Sequence, residues 1–420
     1  MKNLLISCCL MLISFSILAQ DEYKALIAKA DVAYNEKNYA ASAEFYKAAD
    51  KLGGFTNANH AYNAACSASL AGKNGLSFKF LSKAIELGYT NKVWMEGDSD
   101  FDNLRKTGKY KKAIAEIDEA IVAYEASLKY PELRKELIEM QKEDQNYRKA
   151  AMDLMREKGN DNPEVRELWD ATKSVDYKNT QRMKEIVKEY GWPMVSDVGS
   201  DGATAAWLIV QHADAQPHFQ KQCLPLLEAA FKQEEAKGSN YAYLYDRVAL
   251  KLGMKQRFGS QVRNKEFAPI ENETEINERR AIYDLDKLED YAKNFGFEYT
   301  VPDELTYHKK EKDERITAAE YRTAVKEALA IEDYDAAKEP ISELTKMNGW
   351  LMPEDFYNKA LIYLNISEPS LSTATYAIKL ALVNGIDANK ILDNPLMEKV
   401  KEADDWAIVE MMIDEMKSQN

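Results

Sequence analysis

Residues 22–52 read EYKALIAKADVAYNEKNYAASAEFYKAADKL, and their spacing decides the fold. Ala30, Tyr34, Tyr39, Ser42, Tyr46 and Ala49 place small and aromatic residues in alternation along two short helices. Small residues let the helices of a hairpin approach, and a bulky neighbour fills the gap. Residues 57–87 repeat the layout, with Ala65, Ala68, Gly72, Ser77, Leu81 and Ala84 in equivalent places. Ser42 to Ser77 and Ala49 to Ala84 are each 35 residues apart. Beyond them come Gly88–Tyr89, Trp94, the run DSDFDNL (98–104) and a closing helix from Tyr110 to about Tyr124.

This layout resembles tetratricopeptide repeats, whose period is about 34 residues, although the Trp, Gly and Pro of the full consensus are mostly absent. The resemblance implies paired helices with a concave, peptide-binding face. The plan returns near the C-terminus. Ala318 to Met347 holds a helix pair with Tyr321, Ala328, Tyr334, Ala337 and Leu344. Tyr357-Asn358-Lys359-Ala360 matches Tyr62-Asn63-Ala64-Ala65, and ALVNG (381–385) matches AIELG (84–88). Asp393-Asn394-Pro395-Leu396 matches Asp98-Ser99-Asp100-Phe101. The C-terminal unit therefore reads as a diverged copy of the N-terminal one. Two repeats and a cap are too short for an independent solenoid, so each end is expected to dock on the central block or on a partner.

The N-terminus has the layout of an export signal. Met1-Lys2-Asn3 is a short basic start, Leu4–Leu18 an apolar run, and Ala19-Gln20 a small-residue exit before Asp21-Glu22. This arrangement predicts cleavage near Ala19 or Gln20 and a periplasmic or extracellular location. Cys8 and Cys9 lie too early in the run for a lipid anchor. The remaining Cys66 and Cys223 sit in apolar helical patterns and read as small buried hydrophobes. A net charge of −14 argues against nucleic-acid binding, because phosphate backbones attract clustered Lys and Arg. No apolar run reaches the roughly 20 residues of a transmembrane helix.

Residues 128–300 show no repeat and read as a central helical domain. Helical spacing covers Glu132–Glu157 and Val165–Tyr190; Asn162-Pro163 starts the second helix and Gly191-Trp192-Pro193 ends it. Gly199 and Gly202 mark a loop before an apolar helix, ATAAWLIVQHA (203–213). Phe219–Lys237, Asn240–Leu252 and Asn277–Phe295 read as further helices, and Arg257–Ile270 as a small hairpin around Asn264-Lys265. The segments DQNYR (144–148), YKNTQRMKEIVKEYGWP (177–193), AAWLIVQHAD (205–214), YLYDRV (243–248) and FGSQ (258–261), with Glu278-Arg279-Arg280-Ala281, resemble an uncharacterised domain family of bacterial proteins. That resemblance covers most of residues 130–295 and implies a fold unit without an activity. Residues 301–316, with their mixed His308-Lys309-Lys310-Glu311-Lys312, read as a solvated linker, and 317–420 as the second repeat unit. The expected fold class is all-α: tetratricopeptide-like hairpins at both ends (21–127 and 317–420) of a central helical domain, with at most a small β-hairpin.

Polar residues inside apolar helical patterns nominate a site. Gln211, His212 and Asp214 follow AAWLIV, with Trp207, Gln211 and Asp214 at i, i+4 and i+7 on one face. Asp144 and Arg148 are one turn apart, and Asp246-Arg247 interrupt YAYLYDRVAL. As a site, His212 is the candidate general base, because an imidazole ordinarily ionises near neutrality. Asp246 or Asp144 would orient it, Arg148 and Arg247 would grip an anionic group, and Gln211 and Asp214 would complete the ligand contacts. All six of Asp144, Arg148, Gln211, His212, Asp246 and Arg247 are then expected to converge. The same residues equally suit a structural role, stapling helices and satisfying buried backbone. No nucleophile elbow, H-E-x-x-H or phosphate-cradling glycine loop occurs, and Pro217 disrupts His212, Asp214 and His218 as a metal set, so neither metal nor cofactor is expected. Two functions stay open: an exported scaffold that binds a protein or peptide, or a hydrolase or small-ligand-binding protein with its site around His212.

Overall fold

A computed structural model describes residues 22–89, 92–105, 107–403 and 405–418; the expected export signal, 1–20, lies outside the described residues. The fold is all-α apart from one two-stranded antiparallel hairpin. Among the described residues, no helix is long and apolar enough to cross a membrane. The chain divides into two compact units at Pro131/Glu132.

In the first unit, α1 (22–35), α2 (Tyr39–Lys51), α3 (Ala58–Leu70) and α4 (Asn74–Glu86) form successive antiparallel-type hairpins. The 35-residue period is repeated in hydrogen bonds as well as in sequence. Ser42 Oγ donates to the Ala30 carbonyl at 2.8 Å, and Ser77 Oγ donates to the Ala65 carbonyl at 2.8 Å. Both serines are fully buried, and so are Ala30, Ala43, Ala65 and Ala84. Short helices α5 (Lys92–Gly97) and α6 (Asp102–Arg105) flank a 3-10 turn at Ser99–Phe101, and α7 (Gly108–Ser127) closes the unit. Asp98 anchors this cap: it accepts from Tyr62 Oη at 2.8 Å and from the Asp100 N–H at 3.0 Å.

The second unit opens with two long helices, α8 (Pro131–Lys158) and α9 (Pro163–Tyr190). Asn162 caps α9 by accepting from Glu164 N–H, and Gly191, at φ 77°, ends it. Helix α10 (Val195–His212) includes residues 195–202, where the sequence suggested a loop; only Gly199 departs from helical geometry, at φ 74°. Gly202 lies inside the helix because a Cβ there would meet Val198 and Arg134 at 3.0–3.3 Å. Helices α11 (Pro217–Lys232) and α12 (Gly238–Lys251) follow. Strands β1 (Val262–Arg263) and β2 (Glu266–Phe267) pair across Asn264 and Lys265, whose φ of 52° and 61° suit a two-residue hairpin turn. The single helix expected over 277–295 is broken into α13 (Ile276–Ile282) and α14 (Leu288–Lys293) at Asp284, φ 54°.

Residues 301–316 are not a free linker. Helix α15 (Glu304–Ala330) begins at Glu304, capped by Asp303. Tyr307 Oη accepts from Asn272 N–H at 3.0 Å, and Lys255 pairs with Glu311 and Glu314 at 3.1 and 3.4 Å. The rest is a second hairpin set: α16 (Tyr334–Leu344), α17 (Pro353–Asn365), α18 (Leu371–Val383), the short α19 (Ala388–Leu392), a 3-10 segment at Pro395–Glu402 and α20 (Trp406–Ser418). This set packs directly on the central helices. Gly349 N–H donates to the Gly253 carbonyl at 2.6 Å, and Asn348 donates to the Leu250 carbonyl at 2.6 Å. Gly253 is required there, because a Cβ would fall within 3 Å of Leu351 and Phe356. Cys66 and Cys223 are both buried and outside any disulfide.

Candidate functional site

Helices α8, α9 and α10 bring four ionisable side chains together in the second unit. His212 Nδ1 lies 2.9 and 3.0 Å from the two carboxylate oxygens of Asp144, which is 2% exposed. A carboxylate only accepts, so Nδ1 carries the proton and Nε2 is left as the basic nitrogen. Arg148 Nε donates to Asp144 at 3.2 Å, and its Nη2 donates to Asp176 at 2.5 Å. Burial alone would push the Asp144 carboxyl up, but the hydrogen bond and charge of His212, with Arg148, outweigh burial and hold it below its ordinary value. Burial pushes Asp176 up to about 6 even though Arg148 pulls against it. Two carboxyls on one guanidinium are thus driven apart in acidity, a pattern typical of acid–base centres.

A second group sits beside the first. Asp214 lies beyond the end of α10, in a turn where its N–H donates to the His212 carbonyl at 2.7 Å, so it does not share a helix face with Trp207 and Gln211. Its carboxylate receives Arg247 Nε at 2.8 Å, a second Arg247 nitrogen and the Lys251 ammonium. Burial opposes its ionisation, yet these two cations hold Asp214 well below the usual carboxylate range. Burial lowers Lys251 to about 8, against the pull of Asp214. Asp176 also acts electrostatically on Arg247, which links the two groups. Asp214, Arg247 and Lys251 line a cavity of about 1080 Å³, whose lining also draws on the C-terminal hairpins and includes Lys359 and Tyr376.

The expected convergence of six residues is therefore partial. Asp144, Arg148 and His212 meet, and Arg247 lines the cavity, linked to them electrostatically through Asp176. Asp246 does not join. It is fully buried, and its carboxylate accepts the N–H groups of Arg257, Phe258 and Ser260 at 2.7, 3.0 and 2.8 Å, so it holds the 257–260 loop. The Gln211 side-chain oxygen is buried without a hydrogen-bond partner, and its backbone carbonyl accepts from Gln220 at 3.0 Å. The QHADAQPHF loop does not gather its ligands, because His212 turns to Asp144 while Asp214 turns to Arg247. A different set, Asp144, Asp176 and His212, has donor atoms within 4.8 Å of one another, but Arg148 already bridges both carboxylates.

Sequence reasoning missed Asp176, Lys251, Lys359 and Tyr376. Asp176 falls one turn after Thr172 and one before Thr180 on the buried side of α9, a polar repeat that could have flagged it. Lys251 stands four residues after Arg247, the helical spacing for a shared partner. Lys359 and Tyr376 reach the cavity only through tertiary packing.

Residues 131–301 match a family of unknown function, DUF6624. This span contains Asp144, Arg148, Asp176, His212, Asp214, Arg247 and Lys251 and excludes the C-terminal wall of the cavity. No curated protein and no solved structure matches the chain.

Proposed function

We propose that the chain is an exported small-ligand-handling protein whose central domain carries an acid–base site of the hydrolase kind, with His212 as the base. The observation that carries this reading is the Asp144–His212 pair, fixed by Arg148 and Asp176, with Asp176 acting electrostatically on Arg247 of the cavity lining. Asp144 orients the ring, so Nε2 can withdraw a proton from water or a ligand hydroxyl. Asp176, which burial makes a weaker acid with a pKa of about 6, is suited to return a proton near pH 6. Arg247 and Lys251 hold the ligand. Export rests on the layout of Met1–Gln20.

The test is a thermal-shift screen of small molecules on the wild-type protein, Arg247→Ala and His212→Gln, with the stability of each variant measured alongside. The reading expects a hit that Arg247→Ala abolishes and His212→Gln still binds without turning over. Stabilisation by peptides alone would overturn it in favour of a scaffold. The N-terminal unit favours that second role for itself: its paired Ser–Ala hydrogen bonds at a 35-residue interval support a tetratricopeptide-like arm that binds a protein or peptide.

A further inference from the structure

The cavity between the central helices and the C-terminal hairpins has a charge balance opposite to that of the chain. Its lining contains Arg247, Lys251, Arg263, Lys346 and Lys359 against only Asp214 and Glu266; Lys346 pairs with Glu343 outside the lining, which leaves an excess of two positive charges, while the whole protein stands at −14. Asp214 is already shared by Arg247 and Lys251. Among the described residues, neither Arg263 nor Lys359 forms an ion pair with a carboxylate. Lys359 is half-buried on α17; its ammonium donates to Thr345 Oγ1 at 2.9 Å and lies 5.9 Å from the Tyr363 ring. Burial lowers its basicity, and the neighbouring Lys346 cation adds to that effect. Keeping an ammonium in such a place is costly unless an anion joins it. At about 1080 Å³ the cavity has room for a ligand well beyond a single phosphate, and Leu351, Phe356 and Leu380 offer an organic body an apolar wall.

We propose that this cavity binds a small organic polyanion, phosphorylated or polycarboxylate, and that Lys359 of the C-terminal hairpins supplies a ligand cation the central domain lacks. This rests on the site reading above and names its ligand class. Lys359 lines the cavity from the C-terminal hairpins and Arg247 from the central domain, so a bound polyanion bridges the two parts. The C-terminal unit is then part of the binding site.

The experiment uses the full chain, with pyrophosphate and citrate as probes and sodium chloride at matched ionic strength as the control. At 10 mM probe, a rise in Tm of about 2 °C or more over the chloride control is expected. Calorimetric affinity should fall about tenfold in Lys359→Met and recover in Lys359→Arg. A response to pyrophosphate alone assigns a phosphate ester, and a response to citrate alone a polycarboxylate; both support the proposal. The apo form of Lys359→Met should be as stable as wild type or more so, which separates lost binding from lost folding. Equal anion affinity in wild type and Lys359→Met overturns the proposal. So does silence to both anions when a neutral ligand binds in an Arg247-dependent way, a result that leaves the site reading standing. If no small molecule of any class binds, both readings fall.

Discussion

The two hairpin sets of this chain share one backbone plan and use it differently. Helix α3 (58–70) and helix α17 (353–365) are both 13 residues long and offset by 295, and α4 (74–86) and α18 (371–383) match at an offset of 297. Preceding turns agree as well: Lys37 and Glu332 have φ of 60° and 57°, and Asn38 and Asp333 cap the next helix through their side chains. Tyr62 bonds Asp98 at 2.8 Å, and Tyr357 is bonded by Asn394 at 2.6 Å. The equivalent of Asp98 is therefore Asn394, one residue beyond the Asp393 that sequence matching suggests. Asn394 caps the following turn, as Asp98 does.

Where the copies differ, the difference is polar. Position 64 is a fully buried alanine, whereas its counterpart is Lys359 on the cavity wall. Position 60 is His60, hydrogen-bonded to Tyr23 Oη at 3.0 Å, whereas its counterpart is Asp355, almost fully buried and gripped by Arg322 at 3.0 and 2.7 Å. One copy closes on its own alanine and aromatic core; the other holds an internal Arg322–Asp355 ion pair and turns Lys359 to the cavity it shares with the central domain. The lesson is that helix length and turn geometry survive divergence, while the face chemistry sets what each copy docks on.

Ala64→Lys tests the contrast most severely. It places an ammonium where the N-terminal copy is closed, and should cost about 4 kcal/mol or more in denaturant unfolding; a cost under about 1 kcal/mol would break the distinction between the two faces. Asp355→Ala comes next. It strands the Arg322 guanidinium and removes the acceptor of the Met352 N–H, with an expected loss of about 3 kcal/mol in the C-terminal unit. His60→Ala, at the matching site, removes a neutral hydrogen bond and should cost only about 1 kcal/mol. Equal losses at 355 and 60 would show that the ion pair adds nothing to the copy that has it. The smallest effect is in pH dependence. The basicity of Lys359 is lowered in the folded state, so the unfolded chain holds its proton more tightly. Stability conferred by the wild type relative to Lys359→Met should then rise as pH climbs toward 10.5, the ordinary lysine value. A flat difference across that alkaline range would place the ammonium in water.

Much of the fold was legible because hairpin packing is written locally. Alternating small and aromatic residues, Asn162-Pro163, Gly191 and Asn264-Lys265 each specify their own turn or cap. The loop suggested at Gly199–Gly202 shows the limit of that logic: Gly202 is there to let α10 approach Arg134 of α8, a contact with a residue 68 positions away. At the site, Asp144, Arg148 and His212 stood out as polar residues in apolar patterns, and so did Asp246, whose role is to hold a loop. A carboxylate that orients a histidine and one that collects backbone N–H groups look alike in a helical repeat. Only what lies across from them separates the two.

The sequence by itself determined the all-α class, the spacing of the hairpins and the central block with its histidine, because periodicity, caps and composition act over a few residues. Tertiary structure decided which carboxylate meets His212, added Asp176 and Lys251, and brought Lys359 and Arg247 to one cavity. Such pairings depend on the approach of helices distant in the chain, and the energy of a charge depends on the partners that approach leaves beside it.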